Sequence, residues 1–123
     1  MSLDWVHTET DRTDRWDRVF EALAATPRRH LVASLTRAEP STAVELPDAA
    51  LPPNYSGDEH SFRIALEHRH LPKLADCAYI EWERDPFQTW RGHRFDEIAH
   101  VLGVLTEGGA DMQRQTSSPS EDD

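Results

Sequence analysis

Apolar residues at helical spacing begin the patterned part of the chain. Four of them predict a first helix with one apolar stripe, at Trp16, Val19, Phe20 and Leu23. Thr26 and Pro27 predict the start of a second helix, because threonine caps helices and proline suits the first helical position. This second helix is expected to end at about Arg37.

The second predicted helix separates apolar from basic residues. Its apolar side carries Leu31, Val32 and Leu35, and its basic residues face elsewhere, at Arg28, Arg29, His30 and Arg37. No acidic residue occurs between Glu21 and Glu39. This acid-free face fits contact with phosphate and equally fits a solvated surface.

Residues 38–57 are repeatedly interrupted. A short third element is predicted to end at Leu46, and the chain is broken after it by Pro47, Pro52 and Pro53. Ser56 or Asp58 is placed to cap the helix that follows.

The stretch from His60 to Glu83 changes from a helical pattern to a strand pattern. Its helical part carries basic residues between Phe62, Ile64, Leu66, Leu71 and Leu74. Pro72 predicts a kink near Arg69 and His70 or a new helix start, since an interior proline costs roughly 3 kcal/mol. The alternation that follows Tyr79 predicts a half-buried strand.

A second strand and a last helix complete the pattern. Residues 84–88 predict a turn into Thr89-Trp90-Arg91, so Trp82 and Trp90 are expected to be cross-strand neighbours. The last helix extends from about Arg94 to Glu107, with a broad stripe formed by Phe95, Ile98, Val101, Leu102, Val104 and Leu105. Residues 1–13 are expected to be flexible, and residues 108–123 are expected to form a disordered acidic tail.

The acidic composition suggests a cellular setting. The 123 residues suit one compact domain, and the formal net charge is −10 with Lys73 as the only lysine. This balance is typical of an extreme halophilic archaeon, because a carboxylate-rich surface stays hydrated when salt screens charge. An ordinary acidic protein with an acidic tail is the alternative.

The sequence has no apolar run long enough to cross a bilayer and no signal-peptide pattern. We therefore expect a soluble, cytoplasmic protein without a membrane partner. One cysteine, Cys77, agrees with a reducing compartment, and we expect it to be a small core residue.

The segment from His70 to Ile80, HLPKLADCAYI, resembles the exit of the recognition helix in ArsR-like winged helix-turn-helix proteins, in the form of a group of small haloarchaeal members. The family's flanking helices are similar to residues 20–23, 27–32 and 94–98. The resemblance covers most of residues 14–107 and implies a mainly α domain with a small antiparallel β-hairpin wing. Three features depart from the family pattern: Ala78 stands where glycine is common, Glu67 lies in the recognition helix, and prolines break residues 38–57 where the family has a supporting helix.

This resemblance implies a transcriptional regulator that binds double-stranded DNA, with the recognition helix in the major groove and the wing on the backbone. The implied DNA contacts are Arg63, His68, Arg69 and Lys73 on the helix and Arg84 and Arg91 at the wing. The same charges also fit a solvated surface around a core helix. A homodimer is expected because the stripe of the last helix is broader than one small domain needs, and the predicted interface is Trp16, Phe95, Ile98, Leu102 and Leu105.

A winged-helix module that binds a protein instead of DNA is the alternative, favoured by the net charge and by Glu67, Glu81 and Glu83. Metal sensing is disfavoured, because His68 and His70 point to different sides of a helix and one cysteine falls short of a thiolate cluster. The sequence has no glycine-rich phosphate loop and no hydrolase motif. We therefore expect no enzyme activity, no cofactor and no metal.

Overall fold

The computed structural model of the chain describes residues 13–107. The segments predicted to be flexible or disordered lie outside this range, apart from Thr13, which is already helical. The elements along the described residues are α1 (13–22), α2 (Thr26–Arg37), β1 (Val44–Glu45), a 3-10 turn (Asp48–Ala50), α3 (Glu59–Ala65), a π-helical turn (Leu66–His70), α4 (Leu71–Asp76), β2 (Ile80–Arg84), β3 (Phe87–Arg91) and α5 (95–107). The continuous helical segment over residues 59–76 is called the central helix below.

The three strands form one antiparallel sheet in the order β1-β3-β2. The predicted hairpin is confirmed, because β2 and β3 pair from Ile80↔Arg91 to Arg84↔Phe87 around a two-residue turn. Strand β1 takes the place of the short third element and pairs with β3 at Val44↔Thr89. The fold is therefore mainly helical with a small antiparallel sheet, and the sheet has one strand more than the predicted hairpin.

The register of the hairpin separates its two tryptophans. Residues directly opposite each other in an antiparallel pair share a face, and Trp82 lies opposite Thr89 while Trp90 lies opposite Glu81. The two indoles therefore lie on opposite faces, and the expectation that they are cross-strand neighbours is wrong. The face of the sheet that carries Trp82 packs on the core. The opposite, outer face carries Trp90 together with Glu81 and Glu83.

The caps of the two middle helices differ from each other. The predicted threonine cap of α2 is wrong: Ala25 is the N-cap residue, and the Thr26 hydroxyl instead accepts a hydrogen bond from Arg29 Nη2 at 3.0 Å. The predicted cap of the central helix is confirmed at Asp58, whose carboxylate accepts from the Ser61 amide at 3.0 Å. These amide and hydroxyl donors hold the pKa of Asp58 below its usual value.

The central helix departs from α-helical geometry just before Pro72. The turn over Leu66–His70 is π-helical, and the Leu71 amide donates to the Leu66 carbonyl oxygen five residues back. Proline has no amide hydrogen to continue the normal ladder, so a widened turn precedes it and α4 begins one residue earlier. The π-helical turn thus lies where the sequence predicted that Pro72 would disturb the helix. Ile64 corrects the predicted stripe, because it is 45 % exposed instead of buried with Leu71.

The exit of the central helix keeps the backbone shape that glycine usually provides. Ala78 has φ 64°, and the amides of Ala78 and Tyr79 donate to the carbonyl oxygens of Ala75 and Leu74 at 2.9 and 3.1 Å. This pair of bonds is a Schellman cap with alanine at the left-handed position. Gly92 packs against the same turn, and a Cβ there would overlap the Ala78 carbonyl group.

The core lies between the helices and the inner face of the sheet. Its largest fully buried side chains are Tyr79, Phe95, Leu31, Leu35, Leu66, Leu71, Leu74, Ile80, Ile98, Val32 and Thr89. Cys77 is half-buried and packs against this core, and burial raises the pKa of its thiol. Cys77 was predicted to be a core residue, and the structure places it at the edge of the core instead.

Candidate nucleic-acid interface

The solvent-facing side of the central helix carries His60, Ile64 and His68, each exposed and four residues apart. The sheet lies on one flank of this stripe and α1 lies on the other. Basic residues predicted to contact DNA occur on both flanks, so each flank is described in turn.

Three charged side chains join the central helix to the tip of the hairpin. Arg84 Nε donates to Glu67 Oε1 at 2.6 Å, and Arg63 Nε lies 3.5 Å from Glu67 Oε2. The Arg84 hydrogen bond is the main reason that the pKa of Glu67 is lowered. The carboxylate that departs from the family pattern is therefore ionised and placed between two arginines.

Aromatic rings support the same two arginines. The Arg63 guanidinium lies 4.3 Å from the centroid of the Phe87 ring, and the Arg84 guanidinium lies 5.3 Å from the Trp82 ring. Arg84 remains 62 % exposed at its side chain, and Arg63 remains 42 % exposed. Both predicted contact residues are therefore held in place and still reach solvent.

On the other flank, Lys73 Nζ forms an ion pair with the Glu21 carboxylate of α1. This pair holds the pKa of Glu21 below its usual value. His68 and Arg69 are exposed and have no hydrogen bond or ion pair with any described residue. Of the residues predicted to contact DNA from the helix, His68 and Arg69 are free to bind a ligand. Lys73 must first break its ion pair with Glu21.

Arg91 does not belong to this surface. Its Nη2 donates to the carbonyl oxygens of Leu35, Thr36 and Ala38 at 2.8, 3.2 and 3.0 Å, and its guanidinium stacks over the Phe95 ring. Arg91 therefore caps the C-terminus of α2, where helical carbonyl groups lack partners. We remove it from the predicted DNA contacts.

Arg28 also corrects the sequence analysis, which placed it on a polar face. The residue is buried, and its Nε donates to the Ala22 carbonyl oxygen at 2.7 Å. Its Nη1 lies 2.9 Å from Nδ1 of buried His70. Arg28 precedes Leu31, Val32 and Leu35 by three, four and seven positions, so the helical stripe itself indicated its burial.

Part of the predicted dimer interface lies inside one chain. Phe95 and Ile98 are 2 % and 0 % exposed in the core, so they are not available to a partner, and that part of the prediction is wrong. Leu102 is half-buried against the core. Trp16 and Leu105 remain about half exposed, as do Phe20, Ile64 and Val104.

The exposed apolar residues of α1 and α5 flank a groove. The Trp16 and Phe20 rings stack with centroids 5.5 Å apart. A groove of about 250 Å³ lies between the two helices and is lined by Arg15, Trp16, Val19, Glu97, His100 and Val101. Trp16, Phe20, Val104, Leu105 and this groove are together called the α1–α5 surface below.

Comparisons with known protein families, curated proteins and solved structures found no match to this chain. Among residues 13–107, no helix combines the length and the apolar character needed to span a membrane. Within the same range, no group of three or more His, Cys, Asp or Glu residues could hold a metal ion.

Proposed function

We propose that this protein is a cytoplasmic, homodimeric transcriptional regulator that binds double-stranded DNA with a winged helix-turn-helix domain. The observation that carries this proposal is the arrangement around the central helix: an exposed helix face lies beside a hairpin whose tip places Arg84 next to it. The element order and the position of β1 next to β3 support a winged domain. In this role the protein acts by binding, without catalysis or a cofactor.

In the proposed complex the central helix enters the major groove. Arg69 has no partner in the described residues, so it is the arginine of the central helix that can bind DNA at the lowest cost. His68 lies beside it, and Arg63 and Arg84 reach the phosphate backbone from the wing side. Glu67 lies between the helix and the wing and forms an ion pair with an arginine from each.

The proposed dimer forms through the α1–α5 surface. Its exposed aromatic and aliphatic side chains are of the kind that homodimer interfaces bury. A two-fold dimer would present two central helices to two half-sites one helical turn apart, and the operator would be close to palindromic.

The test is DNA binding measured by fluorescence anisotropy, with duplexes from the upstream region of the protein's own operon and with a random duplex library. We expect binding that weakens steeply as salt rises. Arg69→Glu should abolish it without changing the thermal melt, because this exposed side chain bonds to nothing in residues 13–107.

The matched control is Arg37→Glu, which makes the same charge change at an exposed arginine of α2 outside the interface. This variant should bind DNA like the wild type, apart from a small general charge effect. Equal binding by wild type and Arg69→Glu would refute the assignment of the helix face.

A winged module that binds a protein is the second candidate. The outer face of the sheet favours it, because Glu45, Glu81, Glu83 and Trp90 lie there together. The region before the central helix also contains only one 3-10 turn where a helix-turn-helix has a supporting helix. In this case Glu81→Lys with Glu83→Lys would abolish partner binding, and the chain would retard no duplex.

A further inference from the structure

A second groove lies between α1 and the central helix. It has a volume of about 490 Å³ and is lined by Arg18, Glu21, His68, Arg69, Pro72, Lys73, Asp76 and Cys77. Arg18 was not singled out by the sequence pattern, because it lies on the polar side of α1 next to the apolar stripe. Four of the eight lining residues are basic in a chain of net charge −10.

The positive charges in this groove exceed the carboxylates that can balance them. Glu21 is already paired with Lys73. Arg18 and Arg69 are exposed and have no hydrogen bond or ion pair inside the described range, and Asp76 is the one other carboxylate of the groove. Two unpaired arginines that line one groove favour the binding of an anion there.

Buried Arg28 adds to this charge. Burial lowers the pKa of Arg28, and repulsion from Arg69 lowers it further. The guanidinium of Arg28 cannot turn outward, because three groups bind it: the Ala22 carbonyl, the Glu21 carbonyl and His70 Nδ1. An anion seated between Arg18 and Arg69 would relieve this repulsion without moving any buried group.

The π-helical turn supplies the geometry. It carries both His68 and Arg69, and it places them on the groove wall next to Pro72. Single π-helical turns inside α-helices are frequent at functional sites. Proline offers no amide hydrogen to a ligand, so recognition at this wall must come from side chains.

We propose that this groove is a phosphate-binding site in which Arg18 and Arg69 bind the phosphate oxygens and His68 donates a further hydrogen bond. In the DNA complex proposed above, the ligand is a backbone phosphate next to the bases that the central helix reads. That source depends on the proposed function, whereas the phosphate site itself does not. The phosphate site extends the proposed DNA interface from the central helix onto α1, and the family resemblance implied no DNA contact from α1.

The first arm of the test uses inorganic phosphate with the full chain. Phosphate is titrated at constant ionic strength while the arginine Nε–H and histidine ring signals are followed by NMR. We expect saturable shifts at Arg18, Arg69 and His68, and at least a tenfold loss of affinity in Arg18→Gln. Arg15→Gln is the control, because Arg15 is an exposed arginine on the same helix that lines the other groove.

The second arm measures DNA affinity as a function of salt. Arg18→Gln should reduce the slope of log K against log salt by about one unit and leave the base preference unchanged. Saturable phosphate binding with no change in this slope would overturn the backbone assignment and identify free phosphate as the ligand. Saturable phosphate binding by a chain that binds no duplex would uphold the site and refute the DNA-binding function. If phosphate produces no saturable shifts, the site does not exist.

Discussion

Arg28 Nη1 lies 2.9 Å from His70 Nδ1, and this buried contact joins α2 to the π-helical turn of the central helix. A guanidinium only donates, so His70 Nδ1 accepts and the imidazole is neutral with its hydrogen on Nε2. Arg28 also bonds to carbonyl oxygens at the end of α1. One arginine therefore connects three helices, and a protonated His70 would repel it.

The first prediction is a loss of stability in mild acid that depends on His70. Burial, and then the charges of Arg28 and Arg69, lower the pKa of His70 from 6.5 to about 4. Between these two values His70 is protonated in the unfolded chain and neutral in the folded chain. Its contribution to the free energy of unfolding is therefore fully present above pH 6.5 and decreases as the pH falls towards 4. Between pH 7 and pH 5 this difference should cost about 1–2 kcal/mol.

Chemical denaturation at pH 7 and pH 5 measures this effect. His70→Gln keeps an acceptor for Arg28 and cannot titrate, so its free energy of unfolding should change less between the two values. His93→Gln is the control, because His93 is exposed. The carboxylates with lowered pKa, Glu21, Asp58 and Glu67, protonate below this window. An equal pH dependence in His70→Gln and wild type would contradict the prediction.

The second prediction concerns the left-handed alanine at the exit of the central helix. Ala78 at φ 64° pays a steric cost that glycine avoids. Ala78→Gly should therefore raise the free energy of unfolding by about 1 kcal/mol, which corresponds to about 4–8 °C in Tm for a domain of this size. Ala33→Gly, in the middle of α2, should lower it by about 1 kcal/mol. A less stable Ala78→Gly would mean that the turn needs the methyl group.

Local patterns predicted those elements that depend on nearby residues. Asp58 bonds to Ser61 three positions away, Pro72 widens the turn next to it, and the alternation after Tyr79 marks β2. Strand β1 has two residues and no period, and it exists only because β3 pairs with it. No local pattern identifies such a strand.

The candidate interface was predicted less well because charged residues can face inward. Arg91 caps a helix more than 50 positions earlier in the chain, and nothing near it in the sequence indicates this partner. Arg28 occupies a position on the apolar stripe of α2, but on the sequence alone it is assigned to the polar face because it is charged. The apolar stripe of α5 extends beyond the part of the helix that packs on the core. The sequence pattern therefore does not distinguish buried Phe95 from exposed Leu105.

The third prediction is that Glu67 restrains DNA binding. Its carboxylate competes with the phosphate oxygens of DNA for Arg84 and Arg63. Glu67→Gln should therefore raise DNA affinity and steepen the slope of log K against log salt by about one unit. Exposed ion pairs contribute about 0–1 kcal/mol, so the melt should change little. Glu81→Gln removes the same charge from the outer face of the sheet and should leave the slope unchanged. Weaker binding by Glu67→Gln would show instead that Glu67 positions the wing for DNA.

The last prediction places the dimer on the α1–α5 surface. Wild-type protein should have twice the 14.1 kDa mass of one chain in light scattering at high salt. Trp16→Glu with Leu105→Glu should halve that mass and leave the fold intact, because both side chains are about half exposed and a charge costs little there. Ile64→Glu is the matched control, since it adds a carboxylate to an equally exposed apolar residue on the central helix.

The same variants separate dimerisation from DNA reading. Loss of the dimer should weaken binding to a palindromic duplex strongly and binding to a single half-site little, because only the palindrome engages two central helices at once. Ile64→Glu should have the opposite profile: an unchanged mass and weaker binding to both duplexes, since it brings a carboxylate to the helix face. A wild-type mass of one chain would contradict the dimer directly. If Ile64→Glu halves the mass instead, the two chains meet through the central helix, and that face is not free to enter a groove of DNA.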